Sequence, residues 1–172
     1  TLYGATMGQS VQIPVIPEGD WTITSGQFVY LGARPDGAPH ALSGDLTLET
    51  GSGLQLDGTT LILPSSGTVN VQGSAQLLGE ASVITAQSYS MGLDSTLSSS
   101  DSENGLTVIG NVSWACQTLR TSEYVHIQGN LVLQPGCQMD LIAGTVSGAV
   151  TALTSAELNV LSKLTVRVLD QG

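Results

Sequence analysis

Positive charge is what this sequence has least of. Four basic residues, Arg34, Arg120, Lys163 and Arg167, stand against fourteen acidic ones in 172 residues, giving a net charge of −10. So few cations form no patch, which excludes nucleic acid or an anionic membrane as a partner held by counterion release. Charge of either sign is sparse, at 10% of residues against about 25% in an average globular protein. Aromatic residues make up 4% and include a single phenylalanine. The two cysteines, Cys116 and Cys137, are too few for a disulfide framework; free thiols, a mutual bond and a bond between chains all stay open. No apolar run approaches the roughly 20 residues of a membrane-spanning helix. The opening "TLYGATMGQS" has neither a basic n-region nor an apolar h-region, so it does not read as an intact signal peptide, and a start at Thr1 fits removal of an initiator Met and excision from a longer chain equally. "NVS" at 111–113 matches a glycosylation acceptor, which carries meaning only in a secreted eukaryotic protein.

What is present suits strands and turns. Hydrophobic residues reach 41%, enough for a packed core, and the polar remainder is mostly Ser, Thr, Gly, Gln and Asn. In residues 1–40, "VQIPVIP" alternates through Val11, Ile13 and Val15, with Pro14 favouring an edge strand or a bulge. "WTIT" and "QFVYL" follow, separated by turn signals. "GARPDGAPH" (32–40) reads as a linker or long loop.

Residues 41–79 consist of apolar-x-apolar units: Leu46/Leu48, Leu54/Leu56, Leu61/Leu63 and Val69/Val71, cut by "GSG", "DG" and "SSG". Leu46 and Val69 begin units that lie three apart, at an offset of 23 residues. Each unit supports one short strand with one buried face and must then turn. Three such strands per 23-residue rung is the arithmetic of a parallel β-helix, or of a stack in which three chains share each rung. An antiparallel meander is the rival, with a β-sandwich or jelly roll as the alternative architecture. Residues 80–105 lose the pattern, and "STLSSSDSENG" (95–105) reads as a Ser-rich loop ending in an Asn104-Gly105 turn. The pattern returns afterwards, and "IGNV" (109–112) and "QGNL" (128–131) are alike at an offset of 19.

Near the C-terminus, "TALTSAELNVL" predicts a short α-helix. Thr154 takes the N-cap and Glu157 the N3 position of a capping box, and Leu153 packs on Leu158 as a hydrophobic staple. After Ser162 the period becomes two, through Leu164, Val166 and Val168, so the helix feeds a terminal strand. A helix of about two turns is marginal alone in water. Its apolar stripe (Leu153, Leu158, Leu161) needs a surface from elsewhere, and a neighbouring subunit is the expected donor. The sequence therefore divides into an N-terminal β docking segment (1–40), a β-repeat body (41–150) and a capped helix plus terminal strand (151–172) through which copies of the chain associate. The oligomer interface is expected at Leu153, Leu158, Leu161, Leu164, Val166 and Val168.

The string "ALTSAELNVL" (152–161) resembles the "T-x-A-E-L-N-x-L" element of tailed-bacteriophage fibre proteins, and "ENGLTVIGNVSW" and "YVHIQGNLVLQPG" resemble the "LTVTGNLTV" runs that precede it there. The resemblance covers residues 103–164. In that family a "DG" usually follows the last Leu; Ser162-Lys163 stands here, and one copy of the element is present. The resemblance implies a homotrimer whose copies of the element meet near a threefold axis, and the single copy favours a short object over a long shaft.

Candidate chemistry is thin. Cys116, His126 and Cys137 are spaced by 10 and 11 with no tight ligand pair, so no metal site is expected. His126 alternates with Val125 and Ile127 and should lie on the opposite face. Asp94, Asp101 and Glu103 are the carboxylates to weigh for polysaccharide cleavage, which needs two of them about 5–10 Å apart, but their region offers only Tyr89 for stacking on a sugar. Asp36-Gly37 and Asp57-Gly58 read as turn formers, "DSE" (101–103) lacks the spacing of a calcium loop, and Trp21 and Trp114 read as core anchors. No catalysis and no cofactor are expected. The function these readings imply is a virion structural protein that decorates the capsid as a trimer, with the major capsid protein or another virion protein as partner. The alternative is a short tail fibre or tailspike tip that binds a host-surface glycan; a polysaccharide-degrading enzyme and a bacterial adhesin rank below both.

Overall fold

The computed structural model describes residues 4–5, 16–117 and 119–162. They form a parallel β-solenoid of about seven turns. Each rung contributes a strand to three faces in turn. The first face stacks Trp21–Ile23, Leu46–Leu48, Thr68–Val71, the second half of Ser82–Met91, the second half of Leu106–Trp114, Leu131–Leu133 and Val150–Ala152. The second face stacks Phe28–Gly32, Gly53–Asp57, Gln76–Glu80, Thr96–Ser98, Arg120–Glu123, Gln138–Ile142 and Glu157–Leu161. The third holds His40–Ala41, Thr60–Ile62, the first halves of the two long strands, Val125–Gln128 and Thr145–Val146.

The period-two units expected over 41–79 are these strands, and the 23-residue rung is real. Along one inward column, Trp21, Leu46, Val69, Tyr89, Val112, Leu131 and Val150, successive steps are 25, 23, 20, 23, 19 and 19 residues. One chain supplies all three strands of a rung, so no rung is shared between chains. The pairings are parallel apart from the antiparallel contact of Gly4–Ala5 with Phe28–Gly32, which removes the meander and the sandwich. The 19-residue likeness of "IGNV" and "QGNL" is one rung: Ile109 stacks on Gln128 and Val112 on Leu131.

Inward side chains form the core by stacking in columns along the rod. Leu46, Leu48, Leu54, Leu56, Leu61, Val71 and Leu77 are fully buried, and so is the column His40, Leu61, Ile84, Val108 and Ile127 on the third face. Trp21 and Trp114 are core residues, as their sequence setting suggested. Residues 80–105 keep the rung after all. The ten-residue strand Ser82–Met91 rounds a corner between two faces with a register shift between Thr85 and Ser88, which blurs its period. Within the expected loop, Thr96–Ser98 is a strand and only residues 99–105 turn.

The corners repeat as well. Between the third and first faces, Asn111 Oδ1 accepts from the Asn130 N–H at 3.0 Å, and Asn130 Oδ1 accepts from the Ala149 N–H at 2.8 Å. Asp20 and Asp45 do the same for Asp45 and Thr68 near the other end. Rungs approach so closely here that a Cβ on Gly129 would strike the Gly110 carbonyl oxygen. Between the first and second faces, four-residue turns recur at 24–27, 49–52, 72–75, 92–95, 134–137 and 153–156, each closed by an N–H donated to the carbonyl three residues back.

That last turn corrects the expected helix. Among the described residues no helix occurs. Thr154 and Ser155 are the middle of a turn, with Ser155 at φ 59°, where the rung above has Pro135 and Gly136 at φ 79°. Glu157–Leu161 is a strand whose residues pair with Gln138–Ile142. Helix propensity over five residues is weak and nucleation is costly, whereas Leu158 and Val160 here extend the existing columns of Met139 and Leu141. Leu164, Val166 and Val168, and the Val11–Val15 alternation, lie outside the described residues.

Candidate functional site

Three surfaces offer themselves, and all are built from the rung. The first is the terminal rung itself. Val150, Val160 and Leu158 occupy inward registers below Leu131, Leu141 and Met139. Leu131 and Leu141 are 1% and 2% exposed, but Val150 and Val160 are 44% and 61% exposed, because no further described rung lies over them. Leu153 is exposed and Leu161 half-buried, so the sequence-based interface residues that are described do gather on this end. Val150 and Val160 belong with them and escaped the sequence reading, because a helix was expected where a strand stands. The signal was available: extending the 19-residue offset by one more rung aligns "LNVL" with "MDLI".

The second surface is a groove of about 450 Å³ along the first face, lined by Thr68, Asn70, Ser88, Ser90, Asn111 and Ser113. No charged side chain lines it. Ser113 Oγ accepts from Gln134 Nε2 at 2.8 Å. The floor is formed by Val69, Tyr89 and Val112, whose side chains point into the core.

The third surface is an acidic groove of about 330 Å³ on the second face, lined by Gln55, Leu78, Glu80, Thr96, Ser98–Ser100 and Glu123. It lies where the regular ladder breaks. Thr96–Ser98 and Arg120–Glu123 are joined through side chains: Ser122 Oγ donates to the Leu97 carbonyl, the Glu123 N–H to Ser98 Oγ at 3.2 Å, and Arg120 Nη2 to Thr96 Oγ1 at 3.1 Å. Ser100 Oγ donates to Glu80. Glu80 and Glu123 are 43 residues apart in sequence (80 to 123), which is two rungs, and the stack brings both to one groove.

The sequence candidates separate accordingly. Cys116 and Cys137 form a disulfide linking neighbouring rungs, with Cα atoms 4.7 Å apart. Their sulfurs are therefore not thiolate ligands, and His126 instead places Nδ1 3.0 Å from Thr145 Oγ1 on the outer side of the third face. Asp94 sits in the turn before Thr96–Ser98 and Asp101 and Glu103 in the loop after it. Asp101 accepts from the N–H groups of Glu103 and Asn104 at 2.9 and 3.1 Å, which holds its carboxyl below the usual range. A general acid for glycoside hydrolysis needs the opposite shift. Tyr89 is no sugar platform: it is buried, its hydroxyl lies 3.0 Å from the Ile84 carbonyl oxygen and 2.9 Å from that of Ile109, and burial pushes its ionisation up. No helix of the described residues is long and apolar enough to cross a membrane. Comparison with protein-family models, with curated proteins and with solved structures returns no match.

Proposed function

We propose that this chain is a non-enzymatic structural component of a tailed-bacteriophage particle, a homotrimer that decorates the capsid as a short head fibre or cement protein. The observation that carries the assembly half of this reading is the open terminal rung. Among the described residues Val150 and Val160 continue the core columns and are exposed, with Leu158 half-buried beside them. Apolar core surface in water is unfavourable by about 25 cal/mol per Å², and the matching ends of two further copies would cover it. The virion half rests on the resemblance of 103–164 to fibre proteins. A solenoid suits the role: stacked short strands give a rigid rod from few residues, and a buried disulfide suits a protein that works outside a reducing cytosol. In this reading the end that contains residues 1–40 docks on the shell and the 151–172 end joins the three chains.

The test is binding to phage shells. The trimer should co-sediment with empty capsids that lack it and leave capsule or lipopolysaccharide unbound. A protein that binds the glycan and ignores capsids would instead establish the second reading, a short tail fibre or spike tip. One observation favours that alternative: the uncharged hydroxyl- and amide-lined groove on the first face fits a neutral polyhydroxyl ligand. Sugar released from polysaccharide by the assembled trimer would refute the non-enzymatic assignment.

A further inference from the structure

The three lateral faces differ in chemistry, and the difference has a use. Among the described residues the outward strand positions of the first and third faces carry no formal charge, in a chain of net charge −10. The acids sit in turns and on the second face, where Asp57 and Glu80 stack on one another and Glu123 lies nearby. The first and third faces then part company. Outward on the first face the column runs Thr22, Thr47, Asn70, Ser90, Ser113, Val132 and Thr151. Those hydroxyls and amides would have to be paired if covered, or left unsatisfied at a cost. Outward on the third face the two columns are Thr60, Val83, Thr107, His126 and Thr145, and Ala41, Ile62, Thr85, Ile109 and Gln128. Seven of these ten are β-branched, and Ile62, 38% exposed, with Val83 and Ile109, half-buried, supply apolar surface.

We propose that the third face is the lateral surface through which copies of this chain pack against one another, with Ile62, Val83, Thr85 and Ile109 at its centre. The inference deepens the trimer reading and rests on it. Charge selects the occupant. Two copies that each carry ten net negative charges repel, so a self-association surface must exclude acids from its centre, and the third face does so while offering apolar area. The second face meets its twin with carboxylates and is excluded. Asp57 and Glu80, at the corner between the second and third faces, form the charged rim expected around a dry centre. The face reaches Thr145 in the last third-face strand described.

The two native cysteines are paired, which leaves engineered thiols as the only free ones among the described residues. Single variants Thr85→Cys, Ser90→Cys and Gln55→Cys report on the third, first and second faces. A short bismaleimide should join two chains covalently through Thr85→Cys and not through the other two. The double variant Ile62→Glu/Thr85→Glu should sediment as a single chain, and Ser90→Glu as the wild-type oligomer. Cross-linking at Ser90→Cys or Gln55→Cys in its place, with the trimer intact, overturns the face assignment and leaves the trimer reading standing. A wild-type protein that sediments as one folded chain overturns both. If the double glutamate variant fails to fold, the cysteine variants still decide.

Discussion

The rung 131–142 and the rung 150–161 follow the same plan and differ in what lies beyond them among the described residues. Both place a strand on the first face, a four-residue turn and a strand on the second face, in register residue for residue. Yet Leu141 is 2% exposed and Val160 directly below it is 61% exposed. In a solenoid a side chain is a core residue because the next rung covers it. Burial is set by the neighbour, and the residue's own apolar character only makes burial favourable. The last described rung is therefore a surface made of core.

Four experiments break or sharpen this comparison. The largest effect is expected from a paired charge substitution. Leu141→Asp should bury an unpaired carboxylate in the column and cost several kcal/mol, enough to unfold a domain of ordinary stability. Val160→Asp should leave strand content unchanged and separate the copies; circular dichroism with sedimentation reads both. Reduction of Cys116–Cys137, which closes a sequence separation of 21, should cost about 3 kcal/mol, seen as a lower denaturant midpoint. It should loosen the lower rungs first, as hydrogen exchange at residues 120–142 would show. Asn111→Ala removes the acceptor for the Asn130 N–H, and Asn130→Ala the acceptor for the Ala149 N–H. Each should cost about 1 kcal/mol, with the second protecting fewer amides because the rung it holds is already open. The smallest effects separate turn from helix. Ser155→Gly relieves a positive φ and should gain up to about 1 kcal/mol. Thr154→Ala should change stability by less than about 0.5 kcal/mol, whereas loss of a true N-cap would cost about 1 kcal/mol.

Much of the rod could be read without coordinates, because a strand's period of two is local. Leu46/Leu48 through Val69/Val71 announced themselves, and their spacing gave the rung. What failed was non-local. "TSAELNVL" carries a plausible capping box, and nothing within those residues says that "QMDLI", one rung earlier, is waiting to pair with them. Ser82–Met91 hid its rung by bending through a corner mid-strand. The acidic groove joins Glu80 to Glu123 across two rungs, which no local pattern encodes. Leu153, Leu158 and Leu161, expected as a helical stripe, lie instead on a turn and a strand of the last described rung, Leu153 exposed and the other two half-buried. The disulfide was one of three open states for Cys116 and Cys137 until the stack set their Cα atoms one rung apart.

Copies of the chain are expected to cover the exposed Val150 and Val160 of the last described rung. Sedimentation equilibrium of the wild type beside Val160→Asp measures it directly. Three times the 17.7 kDa chain mass is expected for the wild type and a single folded chain for the variant. A wild type that remains one stable, fully folded chain across the concentration range would contradict it.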